Sequence, residues 1–120
     1  MEIGTSKKLV VTNAQGDHYI PLNRIICLLV NNGYCTIYYL NPTNTLASLE
    51  STKRMRYFFD QTEGQMIEVH RNACVNPHYI SALLSTFKIQ FSVEGLPSVF
   101  VADRKYRKTR AHLRKLAFTD

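Results

Sequence analysis

Read as a pattern of apolar and polar positions, the chain divides into short runs separated by turn-forming residues. Lys8–Thr12 (KLVVT) reads as a first strand, closed by the turn chemistry of Asn13-Ala14-Gln15-Gly16-Asp17. HYIPL follows, with Pro21 marking an edge position or a strand end. Ile25 to Val30 is apolar without interruption, as expected for a strand covered on both faces. Asn31-Asn32-Gly33 is a strong turn signal, because Asn and Gly tolerate positive φ. YCTIYYL then resumes as a strand, and Asn41-Pro42-Thr43-Asn44 breaks it.

Two stretches read as helical. Ser48 is placed to cap a helix running to about Phe59, with Leu49, Thr52, Met55 and Phe59 on one stripe and Lys53, Arg54 and Tyr57 off it. After a polar loop around Gly64, Met66–Asn76 reads as one strand. Its alternation puts Ile67, Val69, Ala73 and Val75 on one face and His70, Asn72 and Cys74 on the other, and Pro77 ends it. Phe87, Ile89, Phe91 and Val93 alternate with Lys88, Gln90, Ser92 and Glu94, a half-buried strand, and Ser98–Ala102 returns beyond the turn at Glu94-Gly95. Asp103 is a candidate cap for a C-terminal helix whose apolar stripe is Tyr106, Leu113, Leu116 and Ala117. Many short antiparallel strands with one internal and one terminal helix predict a mainly β fold. The absence of βαβ alternation argues against a doubly wound sheet.

Composition narrows the class. At 120 residues, 45% hydrophobic and 20% charged, the chain reads as one soluble globular domain, with a core over about residues 8–117. Three cysteines, Cys27, Cys35 and Cys74, are odd in number and form no CxxC, so a reducing cytoplasmic compartment is the simpler expectation. A hairpin closed at Asn31–Gly33 can bring Cys27 opposite Cys35, though small buried strand residues are the favoured reading over a redox pair. The longest apolar run, Ile25–Val30, is too short to span a bilayer.

Charge changes the picture most. Fifteen Lys and Arg against nine Asp and Glu leave a net charge of +6, which favours an acidic partner. Arg104, Lys105, Arg107, Lys108, Arg110, Arg114 and Lys115 fall within the terminal helix region, and no acidic residue lies between Arg104 and Leu116. Such a run can be a solvated face, but like charges at i,i+4 repel, and phosphates would relieve that cost. Arg104 falls at a strand-to-helix corner, from which a guanidinium can reach guanine O6 and N7. Enzyme signatures are missing. No Gly-rich phosphate loop, GxSxG or HExxH occurs, and His18, His70, His78 and His112 lack metal-ligand spacing, so neither catalysis nor a cofactor is expected.

The stretch Met66–Ile80, MIEVHRNACVNPHYI, resembles the central segment of LytTR-type DNA-binding domains, with His70-Arg71-Asn72, Val75-Asn76 and Tyr79-Ile80 in register. Ile25–Tyr34 is similar to that family's strand and following loop, Ser98–Tyr106 to its closing strand and Arg corner, and the helix at Ser48 to its Ser-Leu helix. The resemblance covers about residues 8–117. It implies an elongated arrangement of small antiparallel sheets that binds double-stranded DNA through loops, without a recognition helix. On this resemblance Asn31, Asn32 and Tyr34, then Arg71 with Asn72, then Arg104 face DNA, while Lys105 and Lys108 contact phosphates. The implied function is transcriptional regulation, as a stand-alone regulator or the effector domain of a bacterial two-component response regulator. Two copies are expected on repeated half-sites. No receiver-domain pattern precedes Lys8. The sequence departs from the family at Leu29, where Glu is common, at Cys35, where Thr is common, and at Asp103, where Ser is common. Asp103 can pair with Arg104 or Arg107. Two other classes remain open: an RNA or single-strand binder using Tyr34, Tyr38 and Tyr39, and a protein-interaction module whose basic helix docks an acidic partner.

Overall fold

The computed structural model describes residues 7–117. Among the described residues ten strands occur in chain order: β1 (Lys8–Asn13), β2 (Gly16–Pro21), β3 (Ile25–Asn31), β4 (Tyr34–Leu40), β5 (Leu46–Ser51), β6 (Ile67–His70), β7 (Ala73–Val75), β8 (Ile80–Leu83), β9 (Lys88–Phe91) and β10 (Val99–Phe100). Helix α1 (Met55–Gln61) lies between β5 and β6, and α2 (Tyr106–Ala117) ends the described chain. The strands form three antiparallel sheets: β1-β2, β10-β9-β8, and a central five-stranded sheet in the order β5-β4-β3-β7-β6. The body measures 42 × 40 × 25 Å.

Strand β3 explains the layering. Ile25, Ile26, Cys27 and Leu28 are all fully buried, because the central sheet is covered on both faces. On one face Ile25 and Leu28 join Leu9, Val11 and Ile20 of the first hairpin, Leu22 of the short turn after it, and Met55 and Phe58 of α1. On the other, Ile26 and Cys27 join Val69, Ala73, Val75, Ile89, Val99 and Val101 beneath the three-stranded sheet. The bulge between Ile25 and Cys27 puts Ile26 and Cys27 into the same core and resets the alternation for the rest of the strand. Asn32 and Gly33, at φ 53° and 82°, form the two-residue turn expected there, with Asn31 opposite Tyr34.

That register corrects the cysteine expectation. Cys27 faces Tyr38 and Cys35 faces Val30, so the two cysteines point into opposite cores. All three are free and buried. Desolvation pushes their thiols up, to about 12 for Cys27, about 11 for Cys35 and about 12 for Cys74, and neighbouring cysteines add to the shift at Cys27. They are neutral packing groups near neutral pH.

Four predicted elements differ in extent. The helix expected from Ser48 is strand β5 up to Ser51, paired along the open edge of β4, and α1 starts only at Met55 with Phe58 as its buried anchor. Ala, Leu and Glu favour helix locally, but the unpaired edge of β4 supplies a full ladder of backbone partners and overrides that preference. Met66–Asn76 is a hairpin turning at Arg71-Asn72, not one strand. The four apolar residues assigned to one face do share a core, but the turn brings them there. Ile80–Leu83, unassigned in sequence, supplies β8, and the strands expected at 87–94 and 98–102 shrink to β9 and β10.

Candidate nucleic-acid interface

One end of the central sheet collects the loops. The β3–β4 turn, the β6–β7 turn and the exit from β5 all lie there, because Asn31 faces Tyr34, His70 faces Ala73, and Cys35 faces Ser51. A backbone hydrogen bond from Val30 N to Asn72 O, 2.9 Å, fastens the first two turns together. The third predicted element joins them at the outer edge of β6, where Ala102 N donates to Val69 O at 2.8 Å. The structure therefore brings together three segments that are far apart in sequence.

Each turn is shaped by identifiable groups. Asn31, Asn32 and Tyr34 are exposed, with Tyr34 47% accessible. Arg71 and Asn72 are exposed at the tip of their hairpin, and the backbone N–H of Asn72 donates to His70 Nδ1 at 3.2 Å. That contact makes Nδ1 the acceptor, so a neutral His70 carries its proton on Nε2. His70 thus folds the turn that presents Arg71. Pro97, Ser98 and Phe100 face Asn31, His70 and Asn72 across a concavity of about 350 Å³.

Much of the family-like segment is scaffold. Asn76, only 1% exposed, donates from Nδ2 to Ile25 O at 2.8 Å, accepts from His78 N at 3.0 Å, and donates its own backbone N–H to Ile26 O at 2.8 Å. It pins the end of β7 to the start of β3. The Tyr79 hydroxyl donates to Asn23 O at 2.6 Å.

The Arg corner is a short 3-10 turn, Asp103–Lys105, leading into α2. Asp103 is not a side-chain cap: Ala102 occupies the cap position, and no side chain bonds the free backbone N–H groups. Among the described residues no ion pair joins Asp103 to Arg104 or Arg107. The corner is fixed on both sides. Tyr106 stacks on Phe87 with centroids 4.3 Å apart, Thr109 of α2 is buried, and Lys105 Nζ lies 4.0 Å from Glu68 Oε2 on β6. Arg104 is exposed on this mount, and Lys108 is exposed one turn further on. No carboxylate among the described residues pairs with Arg71, Arg104 or Lys108.

The expected site residues missed one loop. The exit from β5 carries Lys53, Arg54 and Arg56 to the same end of the sheet. Lys53 Nζ sits 4.8 Å over the Tyr57 ring. Arg54 and Arg56 line a concavity of about 260 Å³ with Arg71, Val30 and Glu68. Sequence placed Lys53 and Arg54 on the polar side of a longer helix, so nothing linked them to Arg71. The aromatic set considered for stacking does not assemble, because Tyr38 and Tyr39 pack against opposite cores and only Tyr34 is exposed. Among the described residues no group of three His, Cys, Asp or Glu side chains could hold a metal ion, and no helix is long and apolar enough to cross a membrane.

No family model matches the chain, and no curated protein sequence matches it. Among solved structures, the LytTr DNA-binding domain of a methyl-accepting/DNA response regulator from Bacillus cereus superposes with a TM-score of 0.66 at 16% sequence identity. The match covers 92% of this chain and 98% of that one. The chain has the fold of a LytTR-type domain: mainly β, with antiparallel sheets and a short C-terminal helix.

Proposed function

We propose that this chain is a sequence-selective double-stranded DNA-binding module that regulates transcription in the cytoplasm, and that it is not an enzyme. The observation that carries the reading is the joining of three loops at one sheet end by the Val30–Asn72 and Val69–Ala102 hydrogen bonds, with Arg71 and Arg104 exposed and without carboxylate partners among the described residues. An unpaired guanidinium on a fixed mount gives up little freedom when it meets a base edge or a phosphate. In this reading Arg71 and Arg104 read bases, with Asn31, Asn32, Tyr34 and Asn72 beside them, while Lys105 and Lys108 position the duplex through phosphates. Two copies bind repeated half-sites about one helical turn apart. The chain serves as a stand-alone regulator or as the effector part of a two-component response regulator.

Selection from a random duplex library, followed by salt titration on the winning sequence, tests the reading. An enriched motif is expected, together with a log–log salt slope of roughly −4 to −5 from about 4–6 phosphate contacts per copy. Folded protein that enriches no motif overturns it. Preferential competition by single strands assigns the surface to single-stranded nucleic acid, and a slope near zero assigns the basic helix to a protein partner.

A further inference from the structure

We infer that the exit from β5 is a fourth nucleic-acid contact, in which Arg54 and Arg56, beside Arg71 in one concavity, hold a DNA backbone phosphate next to the base that Arg71 reads; this rests on the reading above. The topology places the segment first. Ser51 pairs with Cys35, one residue past Tyr34, so the chain leaves β5 beside the β3–β4 turn and reaches Arg54 three residues later. Local chemistry then holds it. Lys53 N donates to Ser51 Oγ at 3.1 Å, which bends the backbone at the strand end, and Met55 and Phe58 anchor α1 in the core beneath.

The side chains converge from three elements. Arg54 precedes α1, Arg56 lies in its first turn, and Arg71 comes from the β6–β7 turn, all lining a space of about 260 Å³. That volume admits a phosphate group but no base pair. Arg56 is held over it: its guanidinium lies 5.1 Å from the Phe59 ring, 3.3 Å from Glu68 Oε1 and 3.9 Å from Asp60 Oδ1. Glu68 is shared, since its other oxygen lies 4.0 Å from Lys105. Its single charge therefore faces two cations, and Asp60 is two-thirds exposed and screened by water. Arg54 and Arg71 have no carboxylate partner among the described residues. Positive charge exceeds negative in the concavity, and planar guanidinium forks suit phosphate oxygens. A phosphate bound there is sequence-neutral, and it sets the register in which Arg71 meets its base.

The test uses the full chain with Arg54→Ala, Arg56→Ala and Arg56→Lys, each checked for folding by circular dichroism. Salt titrations are run on the selected duplex, and library selection is repeated for each variant. Each alanine variant is expected to lower the magnitude of the salt slope by about one unit, making the fold-loss of affinity between roughly 50 and 200 mM salt about 4-fold smaller. The preferred sequence should stay the same, and Arg56→Lys should restore the slope. Unchanged slopes in folded Arg54→Ala and Arg56→Ala overturn the inference while leaving the DNA-binding reading intact. A changed preferred sequence overturns the phosphate assignment in favour of base contact. A wild-type chain that binds no duplex overturns both.

Discussion

The segment from Ile67 to Ile80 contains two kinds of polar residue, and they behave oppositely. At its tip, Arg71 and Asn72 are exposed, and Arg71 has no ion-pair partner among the described residues. Four residues later Asn76 is buried, with two hydrogen bonds that tie the end of β7 to β3 and a third accepted from His78 N. Both belong to the motif by which the chain resembles LytTR-type domains. A motif match by itself therefore mixes residues that hold the loops with residues that the loops present. Burial and bonding separate the two sets: the first should move stability, the second should move binding.

The sharpest way to break this distinction is Asn76→Ala. It leaves the Ile25 carbonyl and the His78 amide without the partner each has now, inside or beside the core. A loss of about 2–3 kcal/mol in unfolding free energy is expected from urea denaturation. The folded fraction should bind duplex DNA with near wild-type affinity. Normal stability would place Asn76 among the presented residues and void the division.

Asp103→Ser sharpens the comparison at the other end of the scale. Because Asp103 neither caps α2 nor pairs with Arg104, its exposed charge only opposes the approach of phosphates. The substitution should leave the melting temperature unchanged and tighten specific and scrambled duplexes alike, by about 2- to 5-fold at low salt. A gain confined to the specific duplex would mean that Asp103 restrains Arg104 after all.

The legible parts of the fold were those with local physical causes. The Asn32-Gly33 turn was readable because its two residues accept positive φ, and β3 because an uninterrupted apolar run needs cover on both faces. The misread parts depend on distant partners. Leu46–Ser51 has helix-forming residues, yet β4 offers an edge whose partners lie progressively further back along the chain, from the Leu40–Leu46 pairing at the turn to Cys35–Ser51. The Arg71-Asn72 turn carries neither Gly nor Pro, and its hairpin happens to preserve the parity of a straight strand. The same reason hid Arg54 and Arg56. Their nearness to Arg71 follows from the β4–β5 pairing, which the sequence pattern assigned to a helix. Arg104 was legible as a corner residue, but its fixed mount, with Phe87 under Tyr106 and Val69 bonded to Ala102, emerges only in three dimensions.

The central claim is that the joined sheet end reads base sequence through Arg71 and Arg104. The direct measurement is the affinity of wild type, Arg71→Ala and Arg104→Ala for the selected duplex and for a scrambled duplex at one salt concentration. Each substitution should cost about 1–3 kcal/mol on the selected duplex, with Arg104→Ala costing more, and far less on the scrambled one. Both variants should melt like wild type, since neither arginine has an ion-pair partner among the described residues to lose. Equal losses on the two duplexes would contradict the account, because they would show that these arginines touch only the phosphate backbone.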